Sequence, residues 1–338
     1  MLGEFDGAAV LPQQAPSLAA YLSWTSPQPV PVLPALGLLL VVAYLAGAVR
    51  MWRAGRRWPA RESALFFLGC LVLIIVTGAD IEGYGLEMFS VFMFQQLTLM
   101  IAVPMLLVLG RPGTLLLKAT PTQGRGRWMR AAALRALRSS AARAAVHPAV
   151  MVPLFLALFY GVYLSSTGSW LLQRWEGHLA LEVMFLISGL LFTAPVLSTD
   201  PLPRRQGHGA RLADMAVEMP LHAFFGVLIM MAPQPMVAAF AHPPTAWGVE
   251  VLDDQRLAGG LAWSYGELPN LIVVLVLAAR WHRDEERRNR VNDRRTDDPE
   301  LEEYNAYLRS LADRTQAPGP LRSGPANVSA PTDSDPRR

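Results

Sequence analysis

His178 and Glu182 lie four residues apart in a nearly uncharged stretch, the spacing that sets two side chains on one face of an α-helix. Glu218 and His222 repeat that spacing in a later apolar stretch, and Glu267 stands in another. Gln95 and Gln96 form a polar pair in an earlier one, with Met93 just before them, and Met184 follows Glu182. Imidazole nitrogen is a borderline metal donor, and thioether sulfur is a soft one suited to copper in its cuprous state. His178, His222, Met93 and Met184 are therefore candidate copper ligands, with Gln95, Gln96, Glu182, Glu218 and Glu267 as supporting polar groups. Simpler roles stay open: a methionine fills gaps between helices, and an intramembrane histidine makes helix-to-helix hydrogen bonds. Glycine-rich phosphate loops, a Ser-His-Asp order and a His-Glu-x-x-His motif are all missing from the sequence, so no enzymatic activity is expected. The single cysteine, Cys70, offers neither a disulfide nor a Cys-x-x-Cys site.

These residues need elements to hold them. A chain of 338 residues that is 52% hydrophobic and only 17% charged must segregate its charges. Apolar runs near 33–50, 64–80, 89–109, 148–166, 178–198, 215–235 and 258–280 alternate with arginine-rich segments. Each run suits a helix crossing a hydrocarbon core of about 30 Å. The expected fold is all-α: a polytopic bundle of about seven transmembrane helices in contact with lipid. Of 30 basic residues, only Arg174 and Arg256 fall on one side of that topology, so the positive-inside rule puts the N-terminus outside and the C-terminus in the cytoplasm. Asp80, Glu82, Glu87, Glu250, Asp253 and Asp254 belong to outer loops. The candidate ligands then face mostly outward, with His222 near the midplane and Glu218 deeper. Residues 1–30 read as a short external segment, 31–282 as the membrane domain and 283–338 as a charged cytoplasmic tail, disordered from about 315. The basic loop over 120–147 reads as an amphipathic helix on the inner membrane face or as a solvated loop. Because the arginines flank apolar runs, nucleic acid is not an expected partner.

Several segments together resemble the multispanning CtaG-type cytochrome c oxidase assembly family. They are "WPARESALFFLG", "MFSVFMFQQLTLMIAVPMLLVLGRPGTLLLKA", "GHLALEVMFLISGLLFTAPVLSTDPLPRR", "MPLHAFFGVLIMM" and "DDQRLAGGLAWSYGELPNLIVVLVLAARWHRDEERRNR", covering about residues 35–310. The resemblance implies a non-enzymatic assembly factor for a haem-copper oxidase, with oxidase subunits as partners. It also implies copper delivery or insertion at the outer face of a bacterial plasma membrane. Phe92 and Gln96 stand where the family typically has two histidines, and Met184 where it has a third; His178 and His222 match. That leaves two readings: a thinner His/Met site for the cuprous ion, or a divergent member that no longer handles metal. Two other functions compete, a copper or small-solute transporter or resistance permease, and a membrane haem protein using His178 and His222. A rhodopsin-like role is excluded because the only lysine, Lys118, lies outside the last apolar run.

Overall fold

A computed structural model describes residues 9–26, 28–121, 124, 127–198, 200, 208–265, 267–296 and 299–316. Every long element among them is a helix, and none of these residues forms a strand. The chain divides into two compact units, Met1–Ala278 and Ala279–Arg338.

Four helices are long and apolar enough to cross a membrane: α1 (Val32–Arg53), α2 (Ala60–Gly78), α4 (Phe89–Ala119) and α7 (Trp175–Leu197). The short α3 (Ile81–Gly85) links α2 to α4. The other three expected spans are shorter or interrupted. Residues 148–166 give α6 (Ala149–Leu164), which contains Pro153 and a π turn at Ala157–Gly161. In α8 (His208–Met231) the apolar part is Pro220–Met231. The last expected span separates into α9 (Val251–Ser264) and α10 (Glu267–Thr296). Length and composition therefore support a helical membrane protein with four spanning helices among the described residues.

The basic loop forms α5 (Arg127–Arg138) and a second short helix at Ser140–Ala145. Helix α11 (Pro299–Gln316) follows in the second unit; the expected disordered end lies from residue 317 onward, outside the described residues.

Helix α4 is the axis of the first unit, with 72% of its apolar window buried against 28% for α1. It packs against α2, α7 and α9. Leu38, Leu39 and Val42 on α1 stay more than half exposed, an apolar face suited to lipid. A π turn at Thr98–Ala102 interrupts α4 just before Pro104, whose ring cannot share in a regular helical ladder.

The polar cap of α4 comes from a distant segment. Asp254 on α9 accepts hydrogen bonds from the Phe89 amide at 2.7 Å, the Ser90 amide at 3.3 Å and the Ser90 hydroxyl. It satisfies orphan amides that α4's own sequence leaves without a side-chain cap. Asp200 does the same for the last segment of α4, Pro112–Ala119, which restarts after a break at Arg111, accepting from the Gly113 and Thr114 amides at 2.8 and 3.0 Å.

The N-terminal segment closes over α3. Asp80 accepts from the Ser23 hydroxyl at 2.6 Å and the Ser26 amide at 2.8 Å, with Thr25 also donating. Burial alone would raise the Asp80 carboxyl, but the bonds from Ser23, Thr25 and Ser26 outweigh it and hold the group below its ordinary range. Tyr84 donates to the Gln14 carbonyl at 2.9 Å, and Trp247 to the Pro12 carbonyl at 3.0 Å. One end of the bundle is thereby covered by residues 10–26 and the 232–250 connection.

Candidate metal centre

Beneath that cover, Glu82, His178 and Glu182 converge, each presenting one ligand atom within 4.8 Å of the others. All three side chains are buried to 2% exposure or less. His178 and Glu182 share a face of α7 through their four-residue spacing, while Glu82 is delivered by α3. The Nε2 of His178 lies 3.1 Å from Oε1 of Glu82, yet without hydrogen-bond alignment. Both imidazole nitrogens, Oε1 of Glu82 and Oε1 of Glu182 are buried without a hydrogen-bond partner. Such groups cost about 1–3 kcal/mol each when left unsatisfied, and three ligand atoms placed this way could hold a metal ion.

The surroundings fix the geometry and keep it dry. Gln95 on α4 donates from Nε2 to Oε2 of Glu82 at 2.7 Å and to the Val76 carbonyl at 2.9 Å, which leaves Oε1 as the free face of the carboxylate. Gly85 allows this approach: a Cβ there would come within 1.8 Å of Oε1 of Gln95. Phe92 lies against the His178 ring with centroids 5.3 Å apart, and Trp175 stacks on it at 6.2 Å. The cations at this end are engaged elsewhere, Arg174 over the Trp170 ring at 4.8 Å and Arg256 with Asp253 at 2.6 Å.

The expected ligands separate. Of the four, only His178 belongs to the cluster, joined by Glu182 and Gln95 from the supporting group. Met184 is two residues past Glu182, hence about 200° around the helix, and is 39% exposed. Met93 is fully buried in the core; Phe92 and Gln95 meet the cluster, and Met93 lies about 100° around α4 from Phe92. His222 lines a separate small cavity of about 40 Å³ with Met100, Met151, Phe159 and Ser188. Its ring meets Phe159 at 5.1 Å, and its Nε2 has no hydrogen-bond partner. Gln96 points to that side too, its amide nitrogen 3.7 Å from the Met100 sulfur and its oxygen accepting from the Tyr163 hydroxyl. Glu267 opens α10 and is half-buried. Glu218 lies on α8, but its side chain is outside the described residues.

Glu82 is the residue that sequence reasoning missed, because an acid in a short linker reads as a solvated outer-loop charge. A signal was available. The linker around it, with Ile81, Tyr84, Leu86 and Met88, is too apolar to stand in water, so an acid within it must be carried inward.

Fold and site together define a helical membrane protein with a buried carboxylate–imidazole cluster at one end of its bundle. The chain belongs to the cytochrome c oxidase caa3 assembly factor family (Caa3_CtaG), which it matches over residues 42–284. It is 35% identical over 292 residues to an uncharacterised protein of Mycobacterium bovis and, at the same identity, to one of Mycobacterium tuberculosis. A Mycobacterium leprae protein, also uncharacterised, is 34% identical over 292 residues. Each alignment covers 82% of this chain and 43% of the relative, so the chain spans less than half the length of the curated relatives it matches. No solved structure matches it.

Proposed function

We propose that this protein is a non-catalytic factor in the assembly of a haem-copper cytochrome c oxidase, and that it holds a metal ion in transit at the Glu82–His178–Glu182 cluster. Membership of the assembly-factor family supports the oxidase as client, and a haem-copper oxidase needs copper, which makes copper the proposed cargo. The carrying observation is the cluster itself: three buried donor groups with unpartnered atoms facing one another beneath a folded cover. In this reading the protein sits in a bacterial plasma membrane with about seven crossings. The cluster end faces outward, because the arginine-rich segments of the first unit flank the opposite end.

The test is genetic and spectroscopic. A chromosomal Glu182→Gln strain should retain the protein in its membranes yet lose mature oxidase, seen as reduced cytochrome c oxidation and weakened oxidase haem bands. Added copper should restore part of the activity. Full oxidase activity in that strain, with the variant present at the wild-type level, would remove the cluster from the assembly role.

A further inference from the structure

We infer that the Glu82–His178–Glu182 cluster selects a divalent ion of the zinc or cupric class and disfavours the cuprous ion. The inference rests on the reading that the cluster holds a metal, and it changes the chemistry expected of that metal. The donors are two carboxylate oxygens and one imidazole nitrogen, a set that suits borderline divalent ions, whereas the cuprous ion favours thioether and thiolate sulfur. The sequence offers methionines on both helices, but Met184 is turned to the outside of α7, and Met93 stands about 100° around α4 from Phe92, the residue that meets the His178 ring.

Charge balance points the same way. As metal ligands, two deprotonated carboxylates and a neutral imidazole would bring two negative charges to the ion, and Arg174 and Arg256 are engaged elsewhere. A divalent ion makes the buried assembly neutral, while a monovalent one leaves a net charge in a low-dielectric interior. The 3.1 Å between Nε2 of His178 and Oε1 of Glu82 also suits two donors on one small ion, since ligands at about 2.0–2.1 Å in a tetrahedral shell stand about 3.4 Å apart. Gln95 acts as a positioning residue: its bond to Oε2 of Glu82 orients the carboxylate as outer partners orient metal ligands.

The experiment uses the full chain purified in detergent and dialysed against zinc, cupric ion, or cuprous ion buffered by a competing chelator. The wild type should retain one zinc or cupric ion per chain and give up cuprous ion to the chelator. Glu82→Gln and Glu182→Gln should each weaken divalent binding by at least about tenfold, while Met184→Leu leaves it unchanged. The cupric form should show a single nitrogen donor by electron paramagnetic resonance. Helix content by circular dichroism accompanies each variant. The preference among ions is read on the wild-type chain, so it survives a variant that fails to fold. Retention of cuprous ion in preference to divalent ions, no metal retained by the folded wild type, or divalent binding as tight as wild type in both folded glutamine variants would each overturn the inference. Divalent binding that Glu182→Gln abolishes without harm to oxidase maturation would leave the site standing and sink the assembly role alone.

Discussion

Glu82 meets an environment that a carboxylate in a linker seldom meets: full burial, a glutamine amide on one oxygen and an imidazole beside the other. The residue that makes this possible has no side chain. Replacing Gly85 with valine should push Gln95 off Glu82, because the new Cβ would overlap Oε1 of Gln95. The expected result is loss of metal retention with helix content preserved, read by dialysis and circular dichroism. Nearby, Glu87 in the link between α3 and α4 is nearly buried, and burial pushes its carboxyl up to about 7 from an ordinary 4.5. The folded chain thus binds this proton more tightly than the unfolded one. Stability from this group declines as pH rises from about 4.5 toward 7 and is flat above that. Glu87→Gln should remove that slope and leave the protein more stable than wild type at pH 8, checked by thermal unfolding in detergent across the pH range.

Among elements, α4 depends on residues distant in sequence to cap its first turn and the first turn of its last segment, Pro112–Ala119. Asp254 reaches from α9 to cap it, so Asp254→Ala should destabilise the first unit by about 1–2 kcal/mol and speed amide exchange at Phe89 and Ser90, far from the mutated helix in sequence. Helices α8 and α9 cross so closely that a Cβ on Gly226 would come within 2.6 Å of the Trp263 amide nitrogen, and one on Gly259 within 2.5 Å of that of Met230. Small residues at such a crossing let backbones approach where apolar surface alone gives helices little reason to associate in lipid. Gly259→Val should force the pair apart and cost about 1–3 kcal/mol, seen as a lower unfolding temperature, while valine at the unobstructed Gly260 should cost far less.

At the scale of the whole molecule, the positions of charge and cover make a topological statement. Reporter fusions within 120–126 should be active only in the cytoplasm, and those within 241–248 only outside. The opposite pattern would invert the proposed orientation. The two compact units differ in composition. The first carries the apolar helices and the cluster, and the second a run of mixed acid and base with pairs such as Glu286 and Arg290 at helical spacing.

The sequence by itself determined the helical class, the membrane character, the family and the pairing of His178 with Glu182, because hydropathy, helical period and motif order are local properties. It also pointed to Gln95, through the rarity of amides in apolar runs. Only the tertiary structure decided which donors meet. His222 and His178 each stand four residues from a glutamate along the chain, yet one lines a cavity beside Phe159 and the other meets Glu82. Met184 differs from Glu182 by two residues, and rotation about the helix is enough to turn it outward. Glu82 became a candidate ligand because α3 folds inward under a cover held by Asp80, Tyr84 and Trp247, contacts that join residues far apart in sequence and so leave no periodic trace.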